Sequence, residues 1–337
     1  MTAEKMIATL GNTSVISVEN FGDTTIEGFI ASRHCSPNTA KTYRNSIRQL
    51  LKFFTANSIT APATADVDAY INSLRAEKKS DKTIRLYSTT TKLYFAYLEK
   101  QGIYRDVAAD MEPLKLRKAT THNKKALTDA QAKKLLESVK GDSVIALRDK
   151  AIIALALTCG LRTCEISRAN VGDFHEDDGY WTLDVIGKGH LKADATVKVA
   201  PVVAEMIQAY LDKRDNVADD EPLFTSTSHN TGWQKNSYGA RLSEQSVGKL
   251  IRHNMIKVGI VKPAKKDKNG RVKRSPISAH STRHYAATTA IKAGVDIREV
   301  SAMLRHTSVV VTSIYLHDIS LETRRAELAV ADALFCA

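Results

Sequence analysis

Apolar residues recur at helical spacing through three successive stretches of this chain, then stop at a basic run that has no period. In "SPNTAKTYRNSIRQLLKFF" the stripe is Tyr43, Ile47, Leu50, Leu51 and Phe54. The second stretch carries Val67, Tyr70, Ile71 and Leu74, and the third carries Ile84, Tyr87, Tyr94 and Leu98. Each stripe is one buried face of a helix. Ser36 can cap the first helix, and Pro37 sits at the first helical position, where its missing N–H costs nothing. The stop, "MEPLKLRKATTHNKKALTDAQ", holds Pro113 and a cluster of cations in a Thr/Asn-rich context, the mark of a linker. The break predicts an N-terminal arm over 1–21, an all-helical domain over 22–111, a linker over 112–125 and a second domain from 126 onward. A length of 337 residues suits two domains.

The second domain reads as mixed α/β and mainly helical. Thr128 with Gln131 makes a capping box that opens it. "SVIALRDKAIIALALTCG" is a buried helix that ends on Gly160. "YWTLDVIGKGHLKADATVKVA" predicts a β-hairpin around a Gly-bracketed turn. Helices resume at "SEQSVGKLIRHNMIKVG", and a closing helix over 320–337 carries Leu321, Leu328, Ala331 and Leu334.

A surplus of 49 Lys and Arg over 37 Asp and Glu, a formal charge of +12, points to a polyanionic partner, of which nucleic acid is the commonest. Lys41, Arg44, Arg48, Lys82 and Arg85 lie on the polar faces of the N-terminal helices. Each alone is an ordinary solvated charge; together they suit a surface laid on phosphates. "KPAKKDKNGRVKRSP", residues 262–276, concentrates Lys265, Lys266, Arg271, Lys273 and Arg274 in a loop or short hairpin, a second candidate DNA contact. The four cysteines form no C-x-x-C pair, which argues against a zinc site or a disulfide framework and for reduced thiols. No signal peptide and no 18-residue apolar run stand out, so a cytoplasmic protein without a membrane partner is expected.

Cutting a DNA phosphodiester without a metal or cofactor needs a hydroxyl to attack phosphorus in line. It also needs cations on the two non-bridging oxygens and an acid for the departing sugar oxygen. Arginine suits the oxygens because its planar fork bonds them bidentately and stays charged. Four stretches supply such parts in order. "CGLRTCE" places Arg162 just past a helix-ending glycine, with Glu165 three residues on; "IGKGHLK" places Lys188 at a hairpin tip. "AHSTRHY" places His280, Arg283 and His284 on the first turns of a helix, and "LRHTSVVVTSIYLH" supplies His306 and Tyr315. His280 and His284, four apart, also admit a zinc reading, but no glutamate follows the first histidine and no third ligand is evident. One tyrosine among 11 is usually core filling; the four stretches in this order are a different matter.

Those stretches resemble the tyrosine recombinases, the family of phage and transposon integrases and of chromosome-dimer resolvases. The resemblance runs from about residue 22 to the end. It implies a two-domain chain, with an all-α, SAM-like core-binding domain followed by a mixed catalytic domain over 126–319, clamped on DNA. Carried onto this sequence, it implies Tyr315 as the nucleophile of a 3′-phosphotyrosyl link and Arg162 and Arg283 as the phosphate clamp. Lys188 becomes the acid for the 5′ oxygen, His280 a base or phosphate donor, and His306 a donor to a phosphate oxygen. No cofactor or metal is implied. The implied partners are duplex DNA with an inverted-repeat core site, further copies of the chain in a tetramer, and an accessory directionality protein. The helix 320–337 either docks on a neighbouring protomer or packs on its own domain. Two positions depart from the family pattern: Thr282 stands where leucine is usual, and Arg305 where glycine is usual, which suggests an extra cation near DNA. The hairpin is also long, which keeps Lys192 as a rival to Lys188. A type IB topoisomerase, a hairpin telomere resolvase and a catalytically silent DNA-binding regulator remain as alternatives.

Overall fold

The computed structural model describes residues 21–111, 114, 125–187, 192–214, 217–227, 239–264, 275–306, 308–313 and 315. The predicted N-terminal arm before residue 21, most of the predicted linker and the predicted closing helix over 320–337 lie outside the described residues. Contacts divide the chain into two units, Met1–Ala119 and Thr120–Ala337.

Among its described residues the first unit carries α1 (Asp23–Ala31), α2 (Pro37–Ala56), α3 (Thr64–Ala76) and α4 (Asp81–Lys100). Ser36 Oγ accepts from the Thr39 N–H at 3.3 Å and starts α2; Ser80 Oγ accepts from Thr83 at 3.2 Å and starts α4. The apolar stripes meet in one core around Phe29, Phe54, Tyr94 and Phe95. The Phe29 ring lies edge-on to Tyr94, its centroid 5.6 Å away. Each such side chain stabilises the unit by roughly 1.5–3 kcal/mol through burial alone. On the surface, Lys41, Lys82 and Arg85 are exposed. Arg44 forks onto Glu27, with both bonds at 2.6 Å, and Arg48 reaches Asp23 at 2.9 Å. Exposed pairs of this kind are worth at most about 1 kcal/mol, so both arginines can exchange a carboxylate for a phosphate at little cost.

The second unit opens with α5 (Asp129–Leu136), where Thr128 and Gln131 form the reciprocal capping box. Next comes α6 (Val144–Thr158), capped by Ser143 and buried along nearly its whole length from Ala151 to Leu157. It forms the middle of a core shared with α7 (Thr163–Arg168), α8 (Pro201–Leu211) and α9 (Glu244–Lys257). A three-stranded antiparallel sheet runs in the order β1 (Phe174–Asp177), β2 (Tyr180–Val185), β3 (Ala195–Lys198). The β2–β3 hairpin is the predicted one. The β1–β2 hairpin escaped the sequence reading although Asp178-Gly179 carries its signal: both residues have positive φ, 48° and 77°, as a two-residue primed turn requires. Three further helices follow among the described residues: α10 (His280–Lys292), α11 (Ile297–Met303) and α12 (Val309–Thr312). Among the described residues no helix is long and apolar enough to cross a membrane.

Candidate active site

The site begins where α6 ends. Cys159 closes the helix and Gly160 follows in the left-handed region, φ 58°. A Cβ there would meet Leu304 Cδ2 at 2.8 Å and Ala286 Cβ at 3.3 Å, so glycine is needed both for its φ and for its bareness. Gly160→Ala is therefore expected to destabilise the fold by about 1–3 kcal/mol, because strain at φ adds to the clash. Urea unfolding measures the loss, and a variant as stable as wild type would show that Leu304 gives way freely.

Two residues on, Arg162 is the extended N-cap residue of α7. Glu165, at the third position of that helix, reaches back: Oε2 accepts from the Arg162 backbone N–H at 2.8 Å, and Oε1 from Arg162 Nη1 at 2.7 Å. Glu165 is fully buried, while the Arg162 side chain keeps 28% of its surface. Burial alone would raise the Glu165 carboxyl, but its contacts with Arg305 and Arg162 outweigh this and hold it below the usual carboxylate range.

Arg283, in the first turn of α10, is 1% exposed. Its Nη1 donates to the Gly160 carbonyl at 2.7 Å and its Nη2 to the Leu304 carbonyl, while Glu165 Oε2 lies 4.0 Å from Nη1. One guanidinium thus ties the end of α6 to the end of α11. Burial, then the positive charges of Arg162 and Arg305, bring Arg283 down to about 10, which leaves it protonated at neutral pH. Thr282, where leucine was expected, is buried with its hydroxyl donating to the Ala279 carbonyl at 2.8 Å; the polar atom is satisfied locally, which explains its tolerance.

The rings assemble beside the arginines. His280 and His284 lie edge-to-face at 5.1 Å, and His284 is edge-on to Tyr315 at 4.9 Å. His306 stacks on Tyr315 at 6.2 Å and 16°, and its Nδ1 shares a hydrogen bond with Thr312 Oγ1 at 2.8 Å. Burial first, then the charges of Arg283, Arg162, Arg305 and His280, push His306 down to about 4, so it is neutral at pH 7. A base whose folded pKa is depressed takes up a proton more readily when unfolded. Its contribution to stability is present above 6.5 and is lost as pH falls from there toward 4. A His306→Gln protein is accordingly expected to show a flatter fall in melting temperature across that window. A slope equal to that of wild type would mean that His306 titrates normally in the fold.

Tyr315 lies three residues beyond α12, with only 2% of its surface exposed, in a cluster with Ala287, Val300 and Leu304. The structure therefore brings Arg162, Arg283, His280, His306 and Tyr315 together. Lys188 lies outside the described residues, and Lys192 is exposed. The base of their hairpin is held from two sides: Asp194 Oδ1 accepts from the Gly187 N–H at 2.5 Å, and Arg168 Nη1 donates to the Gly187 carbonyl at 2.9 Å. Lys265, Lys266, Arg271, Lys273 and Arg274 also lie outside the described residues.

Sequence reading noted Glu165 but gave it no role, and it missed Thr312. The signal for Glu165 was its place three residues after an N-cap, where a carboxylate reaches back to the cap. Arg305 differs from its expectation: its side chain turns inward, Nη2 meeting Glu165 Oε2 at 2.7 Å. Among the described residues no group of three His, Cys, Asp or Glu side chains could hold a metal ion.

A sequence-family model described as the phage integrase family matches residues 125–321, and one described as the N-terminal SAM-like domain of phage integrases matches residues 26–102. Tyrosine recombinase XerD of Listeria monocytogenes serotype 4b (strain F2365) is 25% identical over 294 residues, covering 86% of this chain and 90% of the relative. Tyrosine recombinase XerC of Neisseria meningitidis serogroup B (strain MC58) is 27% identical over 288 residues, covering 83% and 85%. A lambda integrase tetramer bound to a Holliday junction superposes with a TM-score of 0.64 at 17% identity, covering 94% of this chain and 81% of that one; the likeness is one of fold.

Proposed function

The chain belongs to the phage integrase family, and from that premise we propose that it is a site-specific recombinase that cuts and rejoins duplex DNA through a phosphotyrosyl link at Tyr315. The observation that carries the reading is the knot of Arg162, Arg283, Arg305 and Glu165 beside the Tyr315–His306 stack. Three guanidinium groups facing one carboxylate leave a surplus of two positive charges, which an anionic phosphodiester would offset.

The chemistry follows from those groups. The Tyr315 oxygen attacks phosphorus and its proton passes to His280. Arg162 and Arg283 bond the non-bridging oxygens as charge concentrates there. Neutral His306, with Thr312 donating to Nδ1, presents Nε2–H to a phosphate oxygen. The bond from phosphorus to the 5′ oxygen breaks, and Lys188 supplies the proton that oxygen needs. The phosphotyrosyl bond keeps the energy of the cut, so a 5′ hydroxyl from another strand can reverse the step without ATP. Lys41, Lys82 and Arg85, with Arg44 and Arg48 after exchange of partners, would hold the flanking backbone.

The burial of Tyr315 supports a further element: the free chain keeps its nucleophile covered, and assembly of copies on an inverted-repeat core site uncovers it. The finished assembly is a tetramer, joined in some reactions by an accessory directionality protein. The test is a duplex of the gene's flanking inverted repeats, nicked so that a cut releases a short fragment. A covalent protein–DNA band on a denaturing gel is expected from the wild-type chain. Tight binding without such a band would favour a DNA-binding regulator instead.

A further inference from the structure

Arg305 touches no reacting atom in the chemistry above, and its backbone conformation is strained. The Arg305 N–H bonds the Ala302 carbonyl at 2.9 Å and the His306 N–H bonds the Ser301 carbonyl at 3.1 Å. This pair of bonds closes a helix on a left-handed residue, normally glycine. Arg305 is that residue, with φ 52°. A side chain there is strained, because its Cβ crowds the backbone carbonyl. Each nitrogen of its guanidinium has a partner: Nη2 on Glu165 Oε2 at 2.7 Å, Nε on Oε1 at 3.4 Å and Nη1 on the Met303 carbonyl at 2.6 Å. Arg162, by contrast, gives Glu165 only Nη1 from its side chain, and Arg283 spends its bonds on two carbonyls.

We infer that Arg305 is a positioning residue: it takes up the charge of Glu165, so that Arg162 and Arg283 sit at the carboxylate without being neutralised by it and stay available to a phosphodiester. The inference rests on the strand-cleavage reading. With Arg305 gone, Arg162 would fork onto both Glu165 oxygens, the geometry a guanidinium prefers, and the surplus at the site would fall from two charges to one.

The test compares wild type, Arg305→Gly, Glu165→Gln and the double variant, each assayed for single-turnover cleavage of the nicked core duplex and separately for DNA affinity. Glycine is the residue this turn favours, and a melting curve checks that the variant folds. If it does not, Arg305→Lys serves in its place, keeping a charge but not the fork. We expect Arg305→Gly to slow cleavage by about ten- to a hundredfold with affinity within about threefold, a loss in the transition state rather than in binding. In the Glu165→Gln background the same change should cost less than about threefold. Unchanged cleavage in Arg305→Gly, or an equal loss with either residue at 165, overturns the inference. If wild type binds DNA but leaves no adduct, the cleavage reading itself fails, and nitrogen NMR of the arginine side chains in the DNA-free proteins decides the matter. A shift of the Arg162 guanidinium signal on loss of Arg305 supports the positioning role, and an identical signal overturns it.

Discussion

Tyr315→Phe is expected to abolish the covalent protein–DNA adduct, on the order of a ten-thousandfold loss or more, while the affinity for core-site DNA should stay within about twofold. The substitution removes one oxygen and keeps the ring. The edge contact with His284 and the stack on His306 are made by the ring, as is the packing against Ala287, Val300 and Leu304. A melting curve of the variant separates a lost nucleophile from a damaged fold. Phosphate contacts from the arginines are untouched, so binding should persist. The readout is the denaturing-gel band from the nicked duplex, beside a native-gel titration of the same DNA. An adduct that survives in Tyr315→Phe at the wild-type rate would move the nucleophile to another hydroxyl and remove the main support for the proposed chemistry.

Much of this arrangement is legible in the amino-acid sequence, because its determinants are local. Ser36, Thr128 with Gln131, and Gly160 act within one helical turn, and the structure places each where its chemistry predicts. The apolar stripes of α2, α3 and α4 are likewise local patterns that bury as a periodicity of 3.6 demands. What eluded the reading depends on partners far apart in sequence. Arg305 reads as an extra cation for DNA until its fork is seen on Glu165, 140 residues earlier. Thr312 looks like an ordinary member of a short apolar run until its hydroxyl meets His306. Tyr315 is the instructive case, since both readings of it describe the same side chain. It is core filling by burial, and it stands beside the histidines and arginines that would use its hydroxyl. A motif identifies the group, and only packing shows that the group is covered.

Glu165→Ala should be the most destabilising single change at the site, costing about 3–5 kcal/mol, which for a unit of this size lowers the melting temperature by roughly 10 °C. The carboxylate is fully buried and is met by Arg162 and Arg305 at 2.7 Å each, with Arg283 at 4.0 Å. Its removal leaves three guanidinium groups crowded together with no counter-charge, and it also opens a void. Glu165→Gln, which keeps the shape and one accepting oxygen, should lose less. Two features distinguish this electrostatic account from simple loss of packing. An anion that enters the site should restore part of the melting temperature, so added phosphate or core-site DNA should stabilise Glu165→Ala more than wild type. The pH dependence has a definite sign as well. The folded carboxyl lies below its ordinary value of 4.5, so its contribution is complete above that pH and disappears as pH falls through the lower folded value. Wild type should therefore lose stability over that acid range more steeply than Glu165→Gln. Parallel acid profiles for the two proteins, together with no gain from phosphate in Glu165→Ala, would show that Glu165 holds the fold by its volume rather than its charge. The clamp on the scissile phosphate would then need another source for its geometry.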